Sequence, residues 1–166
     1  KRPLKVNIPS LLNAPHPSDE FLDNLLKELI NQARNILEGN SFSYSKTYRD
    51  VEVYYNARNP QTLFDALLDE IQAAVTNFIE TFNKNDFSSH IKTFEKHLSD
   101  LQNVFVAIDR GFIYARRPLG HTSIASIAHF SIREIISKKE DLLDQIISTI
   151  LLATRFVYDG GKDNVG

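Results

Sequence analysis

A chain of 166 residues with 19 basic and 21 acidic side chains, net charge −2, has no long-range field to gather nucleic acid or an anionic bilayer. Its 42% hydrophobic and 24% charged content is that of one globular domain with a core, which excludes a disordered segment. Cysteine is absent, which excludes disulfides and thiolate sites and fits a reducing compartment.

Residues 1–17 hold four of the six prolines, Pro3, Pro9, Pro15 and Pro17. Proline fixes φ and restricts its predecessor, so the segment is predicted to be an extended arm. Such termini usually fray, but a frayed tail is normally polar. This one carries Leu4, Val6, Ile8, Leu11 and Leu12, and it is read as a binding arm. No signal-peptide core follows Lys1-Arg2-Pro3, and no apolar run reaches the ~20 residues of a membrane helix. Methionine is absent too, and the chain reads as a fragment of a longer protein.

Helical patterning begins after Pro17 and defines one domain over 18–166. Ser18 is a natural N-cap, with Asp19 and Glu20 in the first turn where the helix dipole favours carboxylates. Leu22, Leu25, Leu26, Leu29, Ile30, Ala33, Ile36 and Leu37 recur at helical spacing, and Gly39-Asn40 stops the run. A shorter helix is predicted over 44–55. Asn59 caps a third, with Pro60 at its first position and Leu63, Phe64, Leu67, Leu68, Ile71, Ala74, Val75, Phe78, Ile79 and Phe82 on its apolar face.

After a polar break at 83–86, Asp86 is the expected cap of the fourth helix. Phe87, Ile91, Phe94, Leu98, Leu101, Phe105, Ile108 and Phe112 follow in alternating steps of four and three. That heptad seam predicts a rod of about twenty-five residues, ~38 Å long, at the centre of a bundle. Arg116-Arg117-Pro118-Leu119-Gly120 breaks it. A fifth helix runs through Ile124, Ile127, Phe130, Ile132, Ile135 and Ile136. Ser137 and Glu140 have capping-box spacing before a sixth, through Leu142, Leu143, Ile146, Ile147, Ile150 and Leu151 to about Val157. The expected fold is therefore an all-α helical bundle of six helices with an N-terminal arm.

Catalytic patterns are missing. Gly160-Gly161 is a helix stop, not a phosphate loop, and no nucleophile elbow occurs. His90 and His97 lie seven apart without further ligands and read as surface histidines. Asp65, Asp69 and Glu70 lie opposite apolar stripes, as on a solvated face. The expectation is a non-enzyme without metal or cofactor. Arg116-Arg117 reads as the border of a turn, so no direct nucleic-acid contact is expected.

The second helix stands out, with four of the six tyrosines in 44–55. Tyr44, Tyr48, Val51 and Tyr55 form one stripe, with Val53 and Tyr54 off it. One stripe is expected in the core and the other on a protein-binding surface, since tyrosine is enriched in interface hot spots.

The run over 100–113, Asp-Leu-Gln-Asn-Val-Phe-Val-Ala-Ile-Asp-Arg-Gly-Phe-Ile, resembles the cullin pattern of a long helix ending in an aliphatic run and then Asp-Arg-x-aromatic-aliphatic. Thr47-Tyr48-Arg49-Asp50-Val51-Glu52 resembles the second-helix motif of that family, and Ser126-Ile127-Ala128-His129-Phe130 falls where cullins have Gly-Leu-x-x-Phe. Thr47 replaces the usual leucine and Ser126 the usual glycine. The order holds over about 18–166. The arm, with Pro3-Leu4-Lys5-Val6-Asn7-Ile8, Pro15 and Pro17, is similar to the N-terminal extension of the cullin-4 class.

The resemblance implies a first cullin repeat of a ubiquitin-ligase scaffold, working in the nucleus and cytoplasm. It implies a substrate adaptor of the β-propeller, damaged-DNA-binding protein type, and a RING subunit held only by a C-terminal region outside this chain. Binding residues implied or read together are Leu4, Val6, Ile8, Leu11 and Leu12 of the arm, Tyr44, Thr47, Tyr48, Val51 and Glu52 of the second helix, and His121, Ser123, Ile124 and Ile127 of the fifth. A cullin-3-like scaffold for BTB adaptors, and a helical tethering domain outside ligases, remain as alternatives. No membrane partner is expected.

Overall fold

The computed structural model describes residues 17–81 and 86–139, together with 144, 147 and 148. All of the arm but Pro17 therefore lies outside the described residues, as do Phe82 and most of the sixth predicted helix. The helices are α1 (Asp19–Leu37), α2 (Tyr44–Ala57), α3 (Pro60–Glu80), α4 (Phe87–Val104), α5 (Tyr114–Arg116) and α6 (Ile124–Ser137), with a π-helical segment (Ala107–Ile113) between α4 and α5. No strand occurs among the described residues, and the fold is all-α.

Local chemistry sets most of the boundaries. The Ser18 hydroxyl accepts the Phe21 N–H at 3.2 Å, and the Asn59 side chain accepts that of Gln61 at 3.0 Å with Pro60 in the first turn. Each satisfies a donor that a helix start leaves open. Asp86 precedes α4 as expected but makes no side-chain cap bond. At the end of α1, Gly39 takes φ +76°. Its N–H donates to Ile36 O at 3.1 Å and that of Asn40 to Asn35 O at 2.8 Å, the paired bonds of a Schellman ending.

Phe94, Leu98, Leu101, Phe105, Ile108 and Phe112 of the predicted seam are all buried, and the Phe112 ring packs on Phe64 at 5.4 Å. Around this rod, α1 packs on α2, α3 and α4, while α6 packs on α3 and α4. The rod is not the uninterrupted α-helix expected. Over Ala107–Ile113 it widens into π geometry, and four residues in two adjacent pairs, Ile108-Asp109 and Phe112-Ile113, turn inward. The two pairs stand four residues apart, a step close to one π turn, so both reach the core together.

Candidate protein-binding surface

On α2, Thr47, Val51 and Tyr54 are buried and form the core face. Thr47 and Val51, expected on the binding surface, are thus interior residues. Thr47 fits there because its hydroxyl donates to Ser43 O at 2.9 Å, leaving no unmet polar group inside. The Tyr54 hydroxyl is enclosed without a hydrogen bond of ordinary geometry, although it lies close enough to the Arg58 cation to favour its charge. Lys46 marks the α1 side of the helix, paired with Glu28 and, at 2.7 Å, with Asp50.

Tyr44, Tyr48 and Tyr55 share the opposite flank, within about 40° of arc at 100° per residue. Tyr44 is 50% exposed; its ring stacks on Tyr48 with centroids 6.4 Å apart and planes 10° from parallel. Its hydroxyl donates to the Asn103 carbonyl at 3.2 Å, near the end of α4. Tyr55 reaches the rod one step further along, where a Cβ on Gly111 would stand 2.7 Å from its hydroxyl oxygen. Only a residue without a side chain leaves that space. The three tyrosines therefore form a band along the seam between α2 and the rod, ordered at both ends by contact with it. Glu52 is exposed beside the band. Its negative charge, and then its hydrogen bond, push the Tyr48 phenol above the usual value.

The α6 contribution differs from expectation. Ile124 and Ile127 are buried, so neither can touch a partner. The reason lies at the start of the helix. Ser123 and Ser126 form a reciprocal capping box, each hydroxyl accepting the other's N–H at 3.0 Å. The buried carboxylate of Asp109 accepts the Ile124 N–H at 2.7 Å. These bonds pull the first turn of α6 against the rod and turn Ile124 inward. His121 is half-buried, edge-on to the Phe130 ring at 5.3 Å, and Phe130 itself is half exposed. Because α2 packs on α1, α4 and the π segment while α6 packs on α3 and α4, the two helices flank the rod from different sides.

His90 and His97 are half-buried structural groups, not the surface histidines expected. His97 Nδ1–H donates to the Leu37 carbonyl at 3.0 Å and His90 Nε2–H to that of Phe78 at 3.1 Å. Each thereby satisfies an open carbonyl at a helix end. The His90 ring also stacks on Phe78, which stacks on Phe94. They border a cleft of about 410 Å³, at whose rim Arg34 grips Glu70 through two nitrogens at 2.6 and 3.0 Å. Glu70 thus has a partner, where a solvated carboxylate was expected. No group of three or more metal-ligating side chains gathers among the described residues.

Gly111 and the 61%-exposed Tyr114 were not singled out from the sequence. A glycine inside a heptad seam was the available signal, because glycine in a helix interior usually marks close approach of another group. No helix among the described residues is long and apolar enough to cross a membrane. The class defined by this fold and surface is an all-α helical bundle with a partly exposed aromatic band. No family model, curated protein or solved structure matches the chain.

Proposed function

We propose that this chain is the adaptor-binding N-terminal region of a cullin-type ubiquitin-ligase scaffold, a non-catalytic module that holds a β-propeller adaptor. The observation that carries the reading is the band of Tyr44, Tyr48 and Tyr55 on the flank of α2. A half-exposed tyrosine pair, pre-stacked and pinned at Asn103, offers large contact area with little rotamer entropy left to lose. Tyr48 belongs to the segment that resembles the cullin second-helix motif. The Asp of the rod's Asp-Arg pair has a structural use here, since Asp109 fastens the start of α6.

In this reading the RING subunit is recruited elsewhere in a longer protein, and the arm residues Leu4, Val6, Ile8, Leu11 and Leu12 add grip. The test is calorimetric titration of the chain with a β-propeller adaptor of the damaged-DNA-binding type and, separately, with a BTB adaptor. Binding to the propeller is expected. Tyr44→Ala with Tyr48→Ala should weaken it about thirtyfold or more, as hot-spot truncations costing ≥ ~2 kcal/mol do. Thermal melting of the same samples separates lost binding from lost folding. Binding only to the BTB adaptor moves the chain to the cullin-3-like reading. Binding to neither, by a folded chain, ends the scaffold proposal.

A further inference from the structure

Beyond the tyrosine band, the cleft bordered by His90 and His97 has the volume of a small-molecule site, about 410 Å³. Two helices end at it. Leu37 lies in the last turn of α1 and Glu38 is its C-cap; Phe78 lies in the last turn of α3 and Thr81 is its C-cap. All four line the cleft. A helix C-terminus carries roughly half a negative charge, so two such ends make the cleft negative. The third wall is α4, which enters through residues 90–97. Its own positive end is at Phe87, and that field fades within a turn.

The side chains add to this sign. The carboxylates on the cleft are Glu38 and Glu70, against the single guanidinium of Arg34. Glu70 holds Arg34 through two nitrogens, so those two charges offset each other. Glu38 is exposed, and its Oε2 accepts the Asn40 amide at 2.9 Å. It takes part in no ion pair among the described residues. One wall is aromatic: Phe78 stacks on His90 and on Phe94, with centroids 4.6 and 4.5 Å apart. His90 and His97 are each already engaged with a main-chain carbonyl.

We propose that this cleft binds a small free organic amine, an ammonium ion carried on a compact aromatic body. The ammonium group lies toward Glu38 and the two helix ends, and the ring lies along the Phe78 wall. Aromatic groups prefer such surroundings, and a charge-assisted contact to a carboxylate is stronger than a neutral one. An anion of the same shape meets the same charges with the wrong sign. The net charge of the chain, −2, acts in the same direction. The proposal rests on the cleft alone and needs neither an adaptor nor the scaffold reading.

The probe is benzylammonium, titrated into the chain and followed by the imidazole C–H resonances of the histidines. Saturable shifts are expected at His90 and His97 and none at His121 and His129, which lie outside the cleft. Benzoate should produce no such shifts. Glu38→Lys should weaken benzylammonium binding about tenfold or more. A cation at the C-cap of α1 suits the helix dipole, so the melting temperature should stay near that of the parent. Ala73→Phe, at an exposed position on the cleft wall, adds bulk without charge and should abolish the shifts. Butylammonium, which mimics the end of a lysine side chain, should bind at least threefold more weakly than benzylammonium. Absence of saturable shifts in the parent overturns the proposal, as do equal shifts with benzoate or undiminished binding in a folded Ala73→Phe variant. Butylammonium binding as tightly as benzylammonium overturns the aromatic amine in favour of a lysine side chain from another protein.

Discussion

The carboxylate of Asp109 accepts the backbone N–H of Ile124 at 2.7 Å, fastening the start of α6 to the π segment of the rod. The acid is nearly enclosed, and the Gln102 amide is its other partner, at 3.4 Å. Asp109→Ala leaves an enclosed N–H without its acceptor, and a charge-assisted bond is worth ~1.5–3 kcal/mol. The expected loss is about 2–3 kcal/mol in urea unfolding. Asp109→Asn keeps an acceptor oxygen and should lose about half as much. An alanine variant within ~0.5 kcal/mol of the parent would mean that α6 is held by packing alone.

The rod should behave as the centre of the core. Phe105 is fully enclosed, and Phe105→Ala removes a ring from a site with neighbours on every side. Buried phenylalanines truncated in this way cost ~3–5 kcal/mol. Denaturant unfolding of the variant checks it, and a change under ~1 kcal/mol would contradict a central rod.

Gly39 and His97 should be energetically coupled. Gly39 has φ +76°, and a Cβ there would stand 2.8 Å from the His97 ring. Gly39→Ala therefore meets both the left-handed penalty, ~1–2 kcal/mol, and displacement of a ring that donates to Leu37 O. His97→Ala should remove the steric share of that cost while losing its own hydrogen bond. A double-mutant cycle should give a coupling of at least ~0.5 kcal/mol, and strict additivity would rule out the contact.

Which parts of this molecule could be read in advance follows from the range of each signal. Ser18, Asn59-Pro60 and Gly39 act within a few residues of themselves, so the starts of α1 and α3 and the end of α1 were legible. The seam from Phe94 to Phe112 was legible because one apolar period persists over five turns. The π segment was not, because widening by one residue depends on what the inward pairs meet across the core. Thr47, Val51, Ile124 and Ile127 were placed outside for a related reason. Periodicity finds an apolar stripe but does not say which flank a neighbouring helix covers. On α2, with apolar groups around most of its circumference, that choice was made by α1 and the rod. Asp109 was visible as a letter in a motif, but its use as an anchor for Ile124, fifteen residues away, is a tertiary fact.

The phenol of Tyr48 gives a pH test of the band. Glu52 raises its ionisation above the ordinary value near 10, first through charge and then through a hydrogen bond to the neutral form. The folded value lies above the unfolded one, so any stabilisation is complete below the unfolded value and is lost as pH climbs through the folded one. Glu52→Gln should move the Tyr48 titration down toward the ordinary value, read by phenolate absorbance with Tyr48→Phe as the reference. An unchanged titration would separate the two side chains.

The contact of Tyr55 with Gly111 allows the band to be bent without being cut. A methyl on Gly111 would lie 2.7 Å from the Tyr55 hydroxyl oxygen and 3.0 Å from its Cζ, so the outer end of the ring must move. That shift is cheap for a half-buried side chain. Alanine also favours helix over glycine by ~0.8–1 kcal/mol, so Gly111→Ala should change unfolding free energy by less than about 1 kcal/mol. If the proposed scaffold reading holds, adaptor binding should respond more strongly, because interface packing tolerates displaced rings poorly. A loss of ~1 kcal/mol, about fivefold in affinity, is expected. Adding Tyr55→Phe removes the closest clashing atom and should recover part of that loss. Recovery is the decisive reading: a ring that matters only through its hydroxyl would bind worse in the double variant than in Gly111→Ala. If Gly111→Ala binds the adaptor as the parent does, the Tyr55 end of the band lies outside the proposed interface, which then narrows to Tyr44 and Tyr48.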